Sequence, residues 1–107
     1  MKYDFTTVVK DLSGVSIKNE KGEELTLKYA TQNALFAMTQ EDSGTTGEEK
    51  YTRYRLASKV NKDGLVDLRS EDVTKLKERI GKAYGPLVVG FAFDFFESPI
   101  IEEKKEK

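Results

Sequence analysis

Cysteine and histidine are both missing from this 107-residue chain. Their absence removes a disulfide framework, thiolate zinc, imidazole metal sites, Ser-His-Asp triads and cysteine nucleophiles in one step. A chain without cysteine also suits a reducing compartment. An excess of charge of one sign is lacking too: 18 basic and 19 acidic residues leave a formal net charge of -1. No overall field therefore draws the chain to nucleic acid or to an anionic membrane. Long hydrophobic runs are equally scarce. The longest, Leu87–Phe96, contains Gly90 and Asp94 and is about half of what spans a bilayer. The opening MKYDFTTVVKDLSG offers no apolar run long enough for a signal peptide. The expectation is a single soluble, cytoplasmic domain over residues 1–98, with no metal, no organic cofactor and no membrane partner. No internal repeat stands out.

What is present centres on residues 71–96. Val73, Leu76, Ile80, Ala83, Tyr84 and Leu87 follow helical spacing, with Ser70 placed to cap and Glu71 and Asp72 in the first turn. Gly85-Pro86 breaks that helix, and proline suits the first turn of the next. Leu87–Phe96 is ambiguous, because its valines and phenylalanines favour a strand. Pro86, Gly90, Ala92 and the Leu87/Phe91/Phe95 spacing favour a helix, which is the reading adopted. Upstream, Tyr3-Asp4-Phe5-Thr6-Thr7-Val8-Val9 alternates like a strand, with short extended pieces at Val15–Ile17 and Leu25–Leu27 separated by Gly14 and Gly22 turns.

From Leu27 the period becomes helical: Leu27, Ala30, Ala34, Leu35 and Met38 share a face behind Thr26 as cap. Residues 40–47, QEDSGTTG, read as a mobile loop ending in a Thr46/Glu49 capping box. The next helix offers Tyr51, Tyr54, Leu56, Ala57 and Val60 as its inner side. The fold expected is α+β: a small N-terminal β-hairpin or meander packed on helices near 27–39, 47–61, 71–84 and 86–97. Phe5, Leu27, Leu35, Tyr51, Leu56, Val73, Leu76, Ile80, Leu87, Phe91 and Phe95 should lead the core. Residues 99–107, PIIEEKKEK, read as a charged, disordered tail.

Few constellations point to chemistry. Asn61-Lys62-Asp63-Gly64-Leu65-Val66-Asp67 looks like the middle of a calcium loop. With Gly64 sixth, however, the first and twelfth ligand positions fall on Lys59 and Ser70, and the coordination count fails. Gly81-Lys82 lacks the glycine spacing and the terminal Ser/Thr of a phosphate loop. Asp94, alone in an apolar run, is expected on the exposed edge of its helix. Lys50, Arg53, Arg55 and Lys59 line one basic side of the 47–60 helix, and positive side chains of this kind neutralise phosphates.

The segments MKYDFTT, GEEKYTRYRLASKV and VDLRSEDVTKLKERIGKAYGPLVVG, in this order, resemble small uncharacterised proteins encoded by tailed bacteriophages and prophages. The likeness spans Met1 to about Glu97 and is strongest over Gly47–Val60 and Val66–Gly90. In those relatives the last segment is less aromatic, whereas Phe91 and Phe93 stand here. The resemblance implies a phage product acting in a bacterial cytoplasm. It transfers no catalytic residue.

The functional expectation is a non-enzymatic protein that binds another protein, either a phage morphogenesis partner or a host factor. The alternative is a nucleic-acid-binding accessory protein using Lys50, Arg53, Arg55 and Lys59. Four phenylalanines are hard to hide around one helix in a domain this small. A partner or self-association site is therefore expected around Phe93 and Phe96, with Ile100 and Ile101 covering it.

Overall fold

The protein is seen in a computed structural model that describes residues 1–100, apart from the side chain of Glu41. The architecture is α+β, as the sequence pattern predicts. Four helices, α1 (Leu27–Phe36), α2 (Gly47–Val60), α3 (Ser70–Ala83) and α4 (Pro86–Glu97), match the expected spans closely. Thr26 caps α1 by accepting from the Tyr29 amide at 3.1 Å. Thr46 does the same for α2 through the Glu49 amide. The Glu49 side chain is drawn away to Arg53 and Lys75, so only half of the expected capping box forms. At α3 the cap lies one residue earlier than expected, at Arg69, whose amide donates to Asp72.

The regular strand pair is not the local one that the pattern suggested. β1 (Lys2–Asp4) runs antiparallel to β2 (Leu65–Asp67), with Tyr3 opposite Val66. Residues 65–67, the end of the calcium-like stretch, are thus a strand. On the other edge of β1, the Ile100 amide donates to the Lys2 carbonyl at 2.8 Å. The start of the expected tail is therefore tied to the sheet, while residues 101–107 lie outside the described residues.

Between β1 and α1 the chain contains a repeat that the composition hides. Val9, Ile17 and Leu25 recur at eight-residue spacing. The Val9 amide donates to Leu25, the Ile17 amide to Val9 and the Leu25 amide to Ile17, closing a ring of three hydrogen bonds at 2.7–3.0 Å. A flat meander would leave its two outer pieces unpaired with each other, but here each extended piece bonds the other two. Two equivalent turns connect them. In the first, Asp11 Oδ1 accepts from the Ser13 and Val15 amides. In the second, Asn19 Oδ1 accepts from Lys21 and Glu23. Gly14 and Gly22 close these turns at φ +84 and +81, the left-handed region in which a Cβ is strained. The repeat escapes a sequence reading because Val, Ile and Leu, and Asp and Asn, are interchangeable in it.

Helices α1 and α3 pack together, with α2 against α1 and α4 against α3. Phe5, Leu27, Leu35, Leu56, Val73, Leu76 and Ile80 are buried as expected. Three expectations fail. Tyr51 and Tyr54 face outward, and Leu87 is exposed. On an α-helix, five residues turn through about 140°, so Tyr51 cannot share the inner face that Leu56 occupies. In α4 the inner side is Ala92 and Phe96, with Val88, Val89, Phe91 and Phe95 partly buried against the core. The helix is turned so that Phe95 and Phe96 meet Tyr3 and Phe5, with ring centroids 5.2–6.0 Å apart. Tyr3 also donates its hydroxyl to the Phe96 carbonyl at 2.8 Å, in the last turn of α4.

Candidate protein-binding face

The segment expected to be a mobile loop contains a 3-10 turn over Gln40–Gly44, and its Asp42 is buried. One Asp42 oxygen accepts from the Thr39 amide. The other receives Arg53 Nη2 at 2.7 Å. Arg53 Nε reaches Glu49 at 3.0 Å, and Glu49 in turn meets Lys75 Nζ at 2.8 Å. From α3, Arg79 approaches Asp42 at 3.6 Å. It also donates to the carbonyls of Ala37 and Ala34 at the end of α1. The Arg53 hydrogen bond, helped by the Thr39 amide, holds the Asp42 carboxyl well below the usual carboxylate range. This cluster joins three helices to the turn.

Its consequence for the basic side of α2 is direct. Arg53, expected to meet phosphates, is buried in the cluster. Lys59 is partly buried and pairs with Asp72 at 3.1 Å. Burial by itself would raise the Asp72 carboxyl, but the Arg69 amide and the Lys59 ammonium hold it low. Of the four expected phosphate contacts, only Lys50 and Arg55 stay exposed. Neither has an ion-pair partner among the described residues.

Those two cations lie beside the misassigned tyrosines. Tyr51 and Tyr54 are 62% and 58% exposed and stack on each other, with centroids 6.3 Å apart and planes inclined by 25°. The end of α1 leaves two more apolar side chains exposed. Phe36 and Met38 are 56% and 58% exposed, because α1 stops at Phe36 and Met38 leaves the helical face predicted for it. Leu35, Phe36 and Met38 line a small cleft of about 190 Å³ with Lys50 and Arg53. Lys50 therefore borders both the cleft and the tyrosine pair. The face that results is aromatic and aliphatic, and cationic at its edge.

The patch expected on α4 is largely consumed by the core. Phe96 is buried, and Phe93 is half-buried beneath the Lys77 ammonium, 5.2 Å from the ring centroid. Ile100 stays exposed at the sheet edge, and Ile101 lies outside the described residues. A second apolar surface does exist at α4. A groove of about 460 Å³ runs between Leu12, Pro86, Leu87, Gly90 and Phe91, with Lys10, Asp11 and Asp94 at its rim. Leu12, on the first octad turn, is 98% exposed. Asp94 is exposed, on the outer edge of α4 as expected.

At the calcium-like loop, a lysine stands where an ion would need carboxylates. Lys28 Nζ donates to the Asn61 carbonyl at 3.3 Å and pairs with Asp63 at 3.6 Å. Gln32 takes the Asn61 side-chain oxygen. Among the described residues, no helix is long and apolar enough to cross a membrane.

No protein family model matches this chain, and no curated protein or solved structure matches it either. The candidate face is defined by its own geometry. A cue to it did exist in the sequence. Tyr51, Tyr54 and Ser58 form a stripe separate from Arg53, Leu56, Ala57 and Val60, and only one of the two stripes can turn inward.

Proposed function

We propose that this chain is a non-enzymatic, phage- or prophage-type protein that works in a bacterial cytoplasm by binding another protein, as a morphogenesis partner or a host-factor ligand. The phage setting rests on the sequence resemblance alone. The binding mode rests on one observation: Phe36, Met38, Tyr51 and Tyr54 are all more than half exposed, the first two lining a cleft with Lys50 and the tyrosines following Lys50 on α2. Large apolar side chains grouped on a small domain mark interaction sites. Aromatic residues, methionine and arginine are the types enriched where proteins meet. The nucleic-acid alternative is weaker, since Arg53 and Lys59 are engaged with carboxylates and two cations without ion-pair partners among the described residues make few phosphate contacts.

The test is an affinity pull-down from bacterial cells with the wild type and with Tyr51→Ser/Tyr54→Ser, each with and without nuclease. A protein retained by the wild type after nuclease treatment and lost with the double variant is the expected result. Retention that vanishes with nuclease, or that ignores the two tyrosines, rejects this reading.

A further inference from the structure

We infer that the partner of this face is an acidic segment carrying an apolar anchor side chain; the inference rests on the protein-binding reading above. The argument begins with the pairing of the helix cations. Arg53 pairs with Asp42 and Glu49, Lys59 with Asp72, Lys75 with Glu49 and Lys77 with Glu97. Lys50 and Arg55 are the exceptions named above, and both border the exposed tyrosines. Apolar surface bounded by cations without carboxylate partners is complementary to a ligand that is apolar at its centre and negative at its flanks.

The cleft supplies the second half of the argument. Its volume of about 190 Å³ between Leu35, Phe36 and Met38 suits one anchoring side chain and is too small for a packed element. Lys50 at its mouth would meet a carboxylate next to that anchor in the ligand. Arg55, one turn beyond Tyr51, would meet a second carboxylate further along, with the tyrosine rings between them. Arg53 cannot serve in this way, because its charge is already matched by Asp42 and Glu49. A single-stranded nucleic acid would also find cations and rings here. It would leave the Phe36–Met38 cleft unfilled, and the tyrosines already stack on each other.

Selection of random dodecapeptides displayed against the full chain tests this, followed by anisotropy titrations of the enriched peptides at low and high salt. The enriched peptides should carry net negative charge and a leucine, methionine or phenylalanine. Lys50→Glu/Arg55→Glu should weaken their binding by about tenfold or more, and Tyr51→Ser/Tyr54→Ser should weaken it as well. All four substituted side chains are exposed, so each variant must remain folded, with a melting temperature lowered by no more than about 8 °C. Peptides without acidic residues, or with affinity indifferent to charge reversal, overturn the acidic partner while leaving the face intact. Peptides that bind the tyrosine variant as well as the wild type overturn the face itself. Salt-sensitive binding of a single-stranded oligothymidylate, lost with both variants and competing with the peptides, replaces the protein partner by nucleic acid.

Discussion

Thr31 shows how a single buried atom bears on stability. It is fully buried in α1, and its hydroxyl finds no hydrogen-bond partner among the described residues. A buried hydroxyl that has lost water without gaining a partner destabilises the native state. Valine has nearly the same shape and no such group. Thr31→Val should therefore raise stability by about 1 kcal/mol in denaturant unfolding; a loss of similar size would mean that the hydroxyl has a partner. Arg79 is the opposite case. It too is buried, but it is matched by Asp42 and by two carbonyls at the end of α1. Nothing near Arg79 in the sequence forecasts this, since its partners belong to other elements.

At the scale of elements, α2 and α4 contrast. Helix α4 has more apolar residues than one face can hold, yet Ala92 and Phe96 are buried and Phe91 and Phe95 pack against the core. Helix α2 is charged and polar, yet it leaves two large rings outside. Phe96→Ala should cost about 3–5 kcal/mol, as expected for a ring removed from a packed aromatic cluster. Tyr51→Ser/Tyr54→Ser should shift stability by only about 0.5 kcal/mol per site, as surface changes do. Chemical denaturation of both variants compares the two directly. Equal losses would put the tyrosines back in the core. The spans of all four helices were legible because apolar period, Pro86 and the Thr26 and Thr46 caps are local signals. Which stripe of α2 turned inward was not, because tyrosine is compatible with either side.

Across the whole molecule, acid should act through the carboxylates that join elements. The Asp42 carboxyl is held low by Arg53, Glu49 by the Lys75 ammonium and Glu97 by Lys77. A group whose folded pKa is depressed stabilises the native state fully above its unfolded value. That contribution is lost as pH falls toward the folded value. Melting temperature should thus be level above about pH 5 and decline below about pH 4, the unfolded range of carboxylates. Asp42→Asn should lower the melting temperature at neutral pH and flatten the acid decline, because the linkage through this carboxyl is gone. Thermal melts across the range measure both effects, and an unchanged acid slope in the variant would exclude Asp42 as a main contributor.

By itself the sequence determined the number and approximate spans of the helices, the α+β class and much of the buried set, because each follows from interactions within a few residues along the chain. It also excluded thiol and imidazole chemistry by composition. Tertiary structure alone decided three things. It paired Lys2–Asp4 with Leu65–Asp67, a contact whose partners share no local signal. It drew Arg53 inward to Asp42 and so removed it from the basic surface. It turned α4 so that Phe95 and Phe96 meet Tyr3 and Phe5, which spends the aromatic surface expected for a partner. The exposed face was left at Phe36, Met38, Tyr51 and Tyr54, at the end of α1 and on the outer side of α2.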